Sequence, residues 1–116
     1  MRGYRIQQQD KTFFFELIPS NNNNQPIGYS KSYPSYEDCV SAIKQFRNFI
    51  KVNNICSKNS PYVELIPTEH GVSYYIIYNN TILFYGNPSY QGTQSIKRGL
   101  DSLYRNIDDY TLNKKD

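Results

Sequence analysis

A chain of 116 residues with a net charge of +3 is one domain's worth of sequence, and so weak a charge is not the basic stripe of a dedicated polyanion binder. The apolar fraction is only 38%, but twelve tyrosines and six phenylalanines carry large apolar bodies, which excludes a disordered chain. The longest apolar runs, Phe13-Phe14-Phe15 and Tyr74 to Tyr78, are far too short to span a bilayer.

Residues 1–52 read as a first unit, β–β–β–α. A strand over 3–8 is followed by a turn at Asp10-Lys11 and a second strand over 12–18, rich in aromatic β-formers and closed by Pro19. A polar turn from Ser20 to Gln25 leads to a third strand over 26–32. Ser35 is the expected N-cap of a helix over 36–51, with Asp38 three residues on. Cys39, Ile43, Phe46 and Ile50, joined by Ala42 and Phe49, form its apolar stripe.

Residues 53–61, rich in Asn, Ser and Lys and ending at Pro61, read as a linker. Residues 62–116 then repeat the order, with strands over 62–67, 72–78 and 81–86. The second helix runs over 93–107 on Ile96, Leu100, Leu103 and Ile107, and Asp109 to Leu112 supplies a short last strand. The two helices align at a constant offset of 57 residues, pairing Cys39 with Ile96, Ala42 with Gly99, Ile43 with Leu100, Phe46 with Leu103 and Ile50 with Ile107. The segment Glu-Leu-Ile-Pro also occurs twice, at 16–19 and 64–67, but that spacing brings no helix into register and is set aside.

The repeated order of aromatic strand, Asn-containing turn, Ile-led strand, Ser30 to Tyr33 and capped helix resembles the YegP-like family of small tandem-repeat domains. Ala42-Ile43 and Gly99-Leu100 match the family's small-plus-aliphatic pair within each helix, and Gly3-Tyr4 and Asp109-Tyr110-Thr111 match its edges. The chain departs from the pattern where both halves lack the Asn-Gly turn and where Asn87 stands for a favoured Ser. The resemblance covers the whole chain. It implies an α+β fold in which two tandem βββα repeats complete one antiparallel sheet, with both helices on one face and C-terminal strands exchanged between units. It implies no activity.

No catalytic constellation is legible. The single histidine, His70, falls in a turn; Cys39 sits on the buried stripe of the first helix; Cys56 lies in the linker near Lys58. Two isolated cysteines and a distant histidine make no metal site, and no Gly-rich phosphate loop exists, so neither metal nor cofactor is expected. Glu37 and Asp38 are explained by the helix dipole. The expectation is a protein that is not an enzyme.

Strand alternation supplies the one positive clue. With Phe13, Phe15, Leu17, Ile27, Tyr74, Ile76, Tyr78 and Phe84 facing the helices, the open face carries Phe14, Glu16 and Gly28 from the first half and Tyr75, Ile77, Leu83 and Tyr85 from the second. Such side chains expose ~400 Å², the size at which a patch begins to need a reason. The expected function is a non-catalytic protein-interaction module using Phe14, Tyr75, Ile77, Leu83 and Tyr85, with a protein partner or a second copy as occupant. The alternative is a nucleic-acid-binding accessory domain that stacks bases on those rings. The abundance of Asn, Tyr, Ile and Lys suits an AT-rich genome, hence a virion or mobile-element accessory protein or a small protein inhibitor. No apolar segment follows the first residues, so the expected location is cytoplasmic, or in a virion.

Overall fold

The computed structural model describes residues 3–19, 26–55, 60–69, 71–87, 92–107 and 112–114. Its elements are β1 (Gly3–Gln9), β2 (Thr12–Ile18), β3 (Gly28–Ser30), α1 (Tyr36–Val52), β4 (Val63–Thr68), β5 (Gly71–Tyr78), β6 (Thr81–Gly86), α2 (Gly92–Asn106) and β7 (Leu112–Lys114). The order β–β–β–α thus occurs twice before β7. Among the described residues no helix is long and apolar enough to cross a membrane.

Turn chemistry sets the hairpins. Asp10 adopts a left-handed backbone (φ 57°) between β1 and β2, which then pair without interruption from Gly3↔Ile18 to Gln9↔Thr12. Asn79 and Asn80 are both left-handed (φ 52° and 60°), the geometry of the tight hairpin turn whose twist matches flanking strands. Two asparagines therefore do the work that an Asn-Gly pair does elsewhere, since Asn tolerates this region better than most residues.

The strands form one sheet in the order β4-β5-β6-β3-β2-β1-β7. Neighbours are antiparallel except at one edge, where β7 runs parallel to β1. The six strands from β4 to β1 make the expected antiparallel sheet, and β7 extends it at one edge in parallel to β1. The join between the halves is β3 against β6, through Gly28↔Gly86, Tyr29↔Tyr85 and Ser30↔Phe84. Asn87 laps this join: its amide donates to the Ile27 carbonyl (3.0 Å) and its Nδ2 to the Pro26 carbonyl (2.9 Å).

Both helices pack on one side of the sheet, α1 on β1 and β2, α2 on β2 and β5. Ser35 caps α1 by accepting from the Asp38 amide (3.1 Å). The far end of α1 is a Schellman stop: Asn54 is left-handed, its amide reaches the Lys51 carbonyl, and the Ile55 amide reaches the Ile50 carbonyl. Ile50 and Ile55 are both fully buried, so the first three residues of the expected linker belong to the helix end, and Ile55 to the core. The core joins the stripes of both helices, including Ile43, Phe46, Leu100 and Leu103, to Tyr4, Phe15, Tyr74, Ile76 and Phe84 of the sheet.

Two glycines make the centre of this packing fit. A Cβ on Gly28 would lie 2.4 Å from both a Phe84 ring carbon and the Tyr85 carbonyl, and one on Gly86 would lie 2.5 Å from the Tyr74 ring. Gly28 therefore faces the helices, not the open side as alternation from Ile27 suggests. The third strand is shorter than expected, and both Ile27 and Gly28 are buried where the chain enters it. Tyr29 takes the outward position.

Candidate functional site

With both helices on one side, the other face of the sheet carries no helix among the described residues. Four aromatic rings cross it in a row, one from each of β2, β3, β6 and β5. Phe14 meets Tyr29 edge-on at 6.2 Å between centroids, Tyr29 stacks on Tyr85 at 5.3 Å, and Tyr85 meets Tyr75 edge-on at 5.2 Å. Adjacent strands lie about 4.8 Å apart, so the row spans about 14 Å between its outer strands. Tyr29 is its most open member at 41% exposure, the others half-buried against one another.

An ion pair bounds the row toward β1. Arg5 Nε lies 2.9 Å from Glu16 Oε1, and Gln7 Nε2 donates to the same oxygen at 2.8 Å. Glu16 is the register partner of Tyr29, which places a compensated carboxylate beside the most exposed ring. Where β3 ends, the ladder with β2 loosens. Ser30 Oγ accepts the Phe15 amide (2.9 Å) and donates to the Lys31 carbonyl, before Tyr33 rejoins Phe13. That opening leaves a depression of about 270 Å³ at the Phe14–Tyr29–Tyr85 end of the row, floored by Ser30 and rimmed by Lys31.

Of the five residues expected here, Phe14, Tyr75 and Tyr85 come together. Ile77 lies further along β5, half-buried, paired with Ile82. Leu83 is elsewhere. The β5–β6 register slips between Ile76 and Ile77, so that Ile76 opposes Phe84 while Ile77 opposes Ile82. Leu83 is thereby the extra residue of a bulge, and strict alternation ends there. It lines a cavity on the helix side with Phe15, Ala42 and Phe46, and Ile82 is the residue that accompanies Ile77.

Tyr29 and Ile82 were missed, both through a one-residue error of parity. Tyr29 fills the outward position that alternation gave to Gly28, so both halves contribute rings to the open face. A signal was available: Gly28-Tyr29 and Tyr85-Gly86 are mirror-order pairs, as an antiparallel join of glycine to glycine requires.

Of the cysteines and the histidine considered for chemistry, Cys39 alone lies among the described residues. Cys39 is fully buried, and burial pushes its thiol up to about 12, which keeps it protonated and unreactive. Cys56 and His70 lie outside the described residues. Among the described residues no group of three His, Cys, Asp or Glu side chains comes together to hold a metal ion.

No protein-family model and no curated protein sequence matches the chain. Two solved structures share its architecture. The solution structure of the UPF0339 protein SO3888 from Shewanella oneidensis superposes with a TM-score of 0.73 at 15% identity, covering 97% of this chain and 89% of that one. That of the protein yegP from E. coli, described as of unknown function, superposes with a TM-score of 0.74 at 18% identity, covering 97% and 91%. The likeness shows the fold.

Proposed function

We propose that this YegP-like fold serves as a non-catalytic binding module whose open sheet face docks a partner protein. The observation that carries the reading is the unbroken row Phe14–Tyr29–Tyr85–Tyr75 on the helix-free face. Aromatic side chains held by their neighbours lose little entropy on docking, and three phenol hydroxyls offer hydrogen bonds at the edge of an apolar contact. The composition suits an accessory protein of a virion or mobile element, or an inhibitor that occupies its target's surface.

Stacked bases are the weaker reading. A base needs a free ring face, yet Tyr29 and Tyr85 cover one another, and Phe14 and Tyr75 sit edge-on to them. Lys31, which lines the depression beside the row, holds its Nζ 5.4 Å from the Tyr33 ring centroid.

The test is affinity capture from the native host with the parent protein and three variants. Tyr85→Ser and Ile77→Glu alter the open face, and Lys44→Glu alters the exposed side of α1. A partner protein held by the parent and Lys44→Glu, lost by the other two and retained after nuclease treatment, supports the proposal. Thermal stability of Ile77→Glu should stay within about 1 kcal/mol of the parent. A single-stranded oligonucleotide bound more tightly than about micromolar, steeply salt-dependent and released by Tyr85→Ser, would transfer the function to nucleic acid.

A further inference from the structure

On the opposite side of the sheet from the aromatic row, a cavity of about 220 Å³ opens between α1 and the strands. Phe15, Ala42 and Phe46, all buried, form its floor. Tyr33, Phe49 and Leu83 wall it; Gln45 and the 46%-exposed Tyr78 stand at its mouth. Ala42, Gln45, Phe46 and Phe49 are spaced to share one face of α1, so the helix presents a single surface to the space.

Protein interiors normally close around any void much larger than a water molecule. Two features oppose closure here. Ala42, on the α1 part of the floor, brings no bulk to fill the space, and the β6 bulge sets Leu83 at the wall. The rim is braced as well: Phe49, Tyr62 and Tyr78 form a ring triad with centroids 5.2, 5.2 and 6.1 Å apart, and these contacts would break if the mouth fell inward.

We propose that this cavity is a binding site for a small, neutral aromatic molecule of one or two rings. Size comes first: an apolar cavity of ~150 Å³ takes benzene, so the larger volume here admits a second fused ring. Five aromatic rings line the space, and aromatic pairs favour the edge-to-face and offset arrangements such a wall offers. Among the described residues no charged side chain lines it, so an ionised ligand would lose its hydration with no opposite charge there in exchange. Gln45 supplies an amide at the mouth. Burial, aided by the neighbouring Cys39, raises the Tyr33 hydroxyl above its ordinary value and keeps it a donor. The ligand therefore carries one or two hydrogen-bonding groups at the end that faces solvent.

The experiment is a titration of indole into isotope-labelled full-length protein, followed by amide chemical shifts. Expected are saturable shifts at Ala42, Phe46 and Leu83, and an affinity for indole-3-carboxylate weaker by at least ~10-fold. Gln45→Trp, at an exposed position that does not threaten folding, should plug the mouth and weaken indole by at least ~10-fold, as should Ala42→Phe from the floor. Absence of saturable shifts up to the solubility limit of indole would overturn the proposal. So would unchanged affinity in folded Gln45→Trp, or equal binding of the carboxylate.

Discussion

Tyr29 and Tyr85 stand directly opposite one another across the join between the two halves of the chain, with ring planes 17° apart. Each is flanked by a glycine of its own strand, Gly28 and Gly86, and these also pair with one another. At these two pairs the helix side of the join is bare backbone and the open side is ring. The arrangement lets Phe84 and Tyr74 fill the helix side while the tyrosines occupy the open side.

The pair should be energetically coupled. In a double-mutant cycle of Tyr29→Ala and Tyr85→Ala followed by urea unfolding, the expected coupling is ~0.5–1.5 kcal/mol, the usual worth of an aromatic contact beyond its buried area. Strict additivity would mean that the rings do not meet in solution.

Gly28→Ala should destabilise by about 1–3 kcal/mol, the usual cost of forcing a methyl into a filled core. The same change at Gly86 should cost less. The added methyl at Gly28 strikes a backbone carbonyl as well as a ring, whereas at Gly86 the three nearest atoms all belong to the Tyr74 side chain. Thermal melts of the two variants decide the order.

Tyr4→Phe should lose about 1 kcal/mol, because its buried hydroxyl donates to the Ile107 carbonyl at 2.7 Å. The loss stays moderate while Arg47 Nε still reaches that carbonyl at 3.1 Å. Adding Arg47→Ala should therefore cost more in the Tyr4→Phe background than in the parent, since only then does the carbonyl lose both donors. Urea unfolding of the four proteins measures the excess.

Cys39 predicts an alkaline stability loss of defined sign. Burial raises its thiol from 9.0 to about 12, so the folded state keeps a proton that the unfolded chain gives up. This contribution is complete below pH 9 and declines as pH rises toward 12. Comparing urea unfolding at neutral pH and at pH 10, the drop in stability should be smaller in Cys39→Ala than in the parent. In a Cys56→Ser background, the folded protein should also resist thiol reagents that label it readily once unfolded.

The helices were legible because a stripe such as Cys39–Ile43–Phe46–Ile50 has one interpretation, and because Ser35 announces its start. β2 and β6 were legible to the residue, as runs of aromatic and β-branched side chains between strong turn formers. The outward face was only partly so. Alternation carries a prediction along a strand until one residue is added or the chain bends, and both events occur here, at Leu83 and on entry to β3. Phe14, Tyr75 and Tyr85 lie before such a break or are counted from an unambiguous inward neighbour, and their rings stand on the helix-free face. Ile55 was hidden by its polar neighbours: among Asn, Ser and Lys, one isoleucine does not look like an anchor.

The seam at β3 also has a consequence for biosynthesis. Gly28, Tyr29 and Ser30 leave the ribosome long before β6 does, and at roughly 5–20 residues per second the interval lasts several seconds. Throughout it, a hairpin rich in phenylalanine has no partner on its β3 side, and β1 still lacks β7 on the other. A strand edge left bare in this way invites pairing with a neighbouring nascent chain. Crowding of polysomes on one message should therefore be the circumstance in which this protein is most prone to misassemble, and slowing initiation should raise the yield of soluble product.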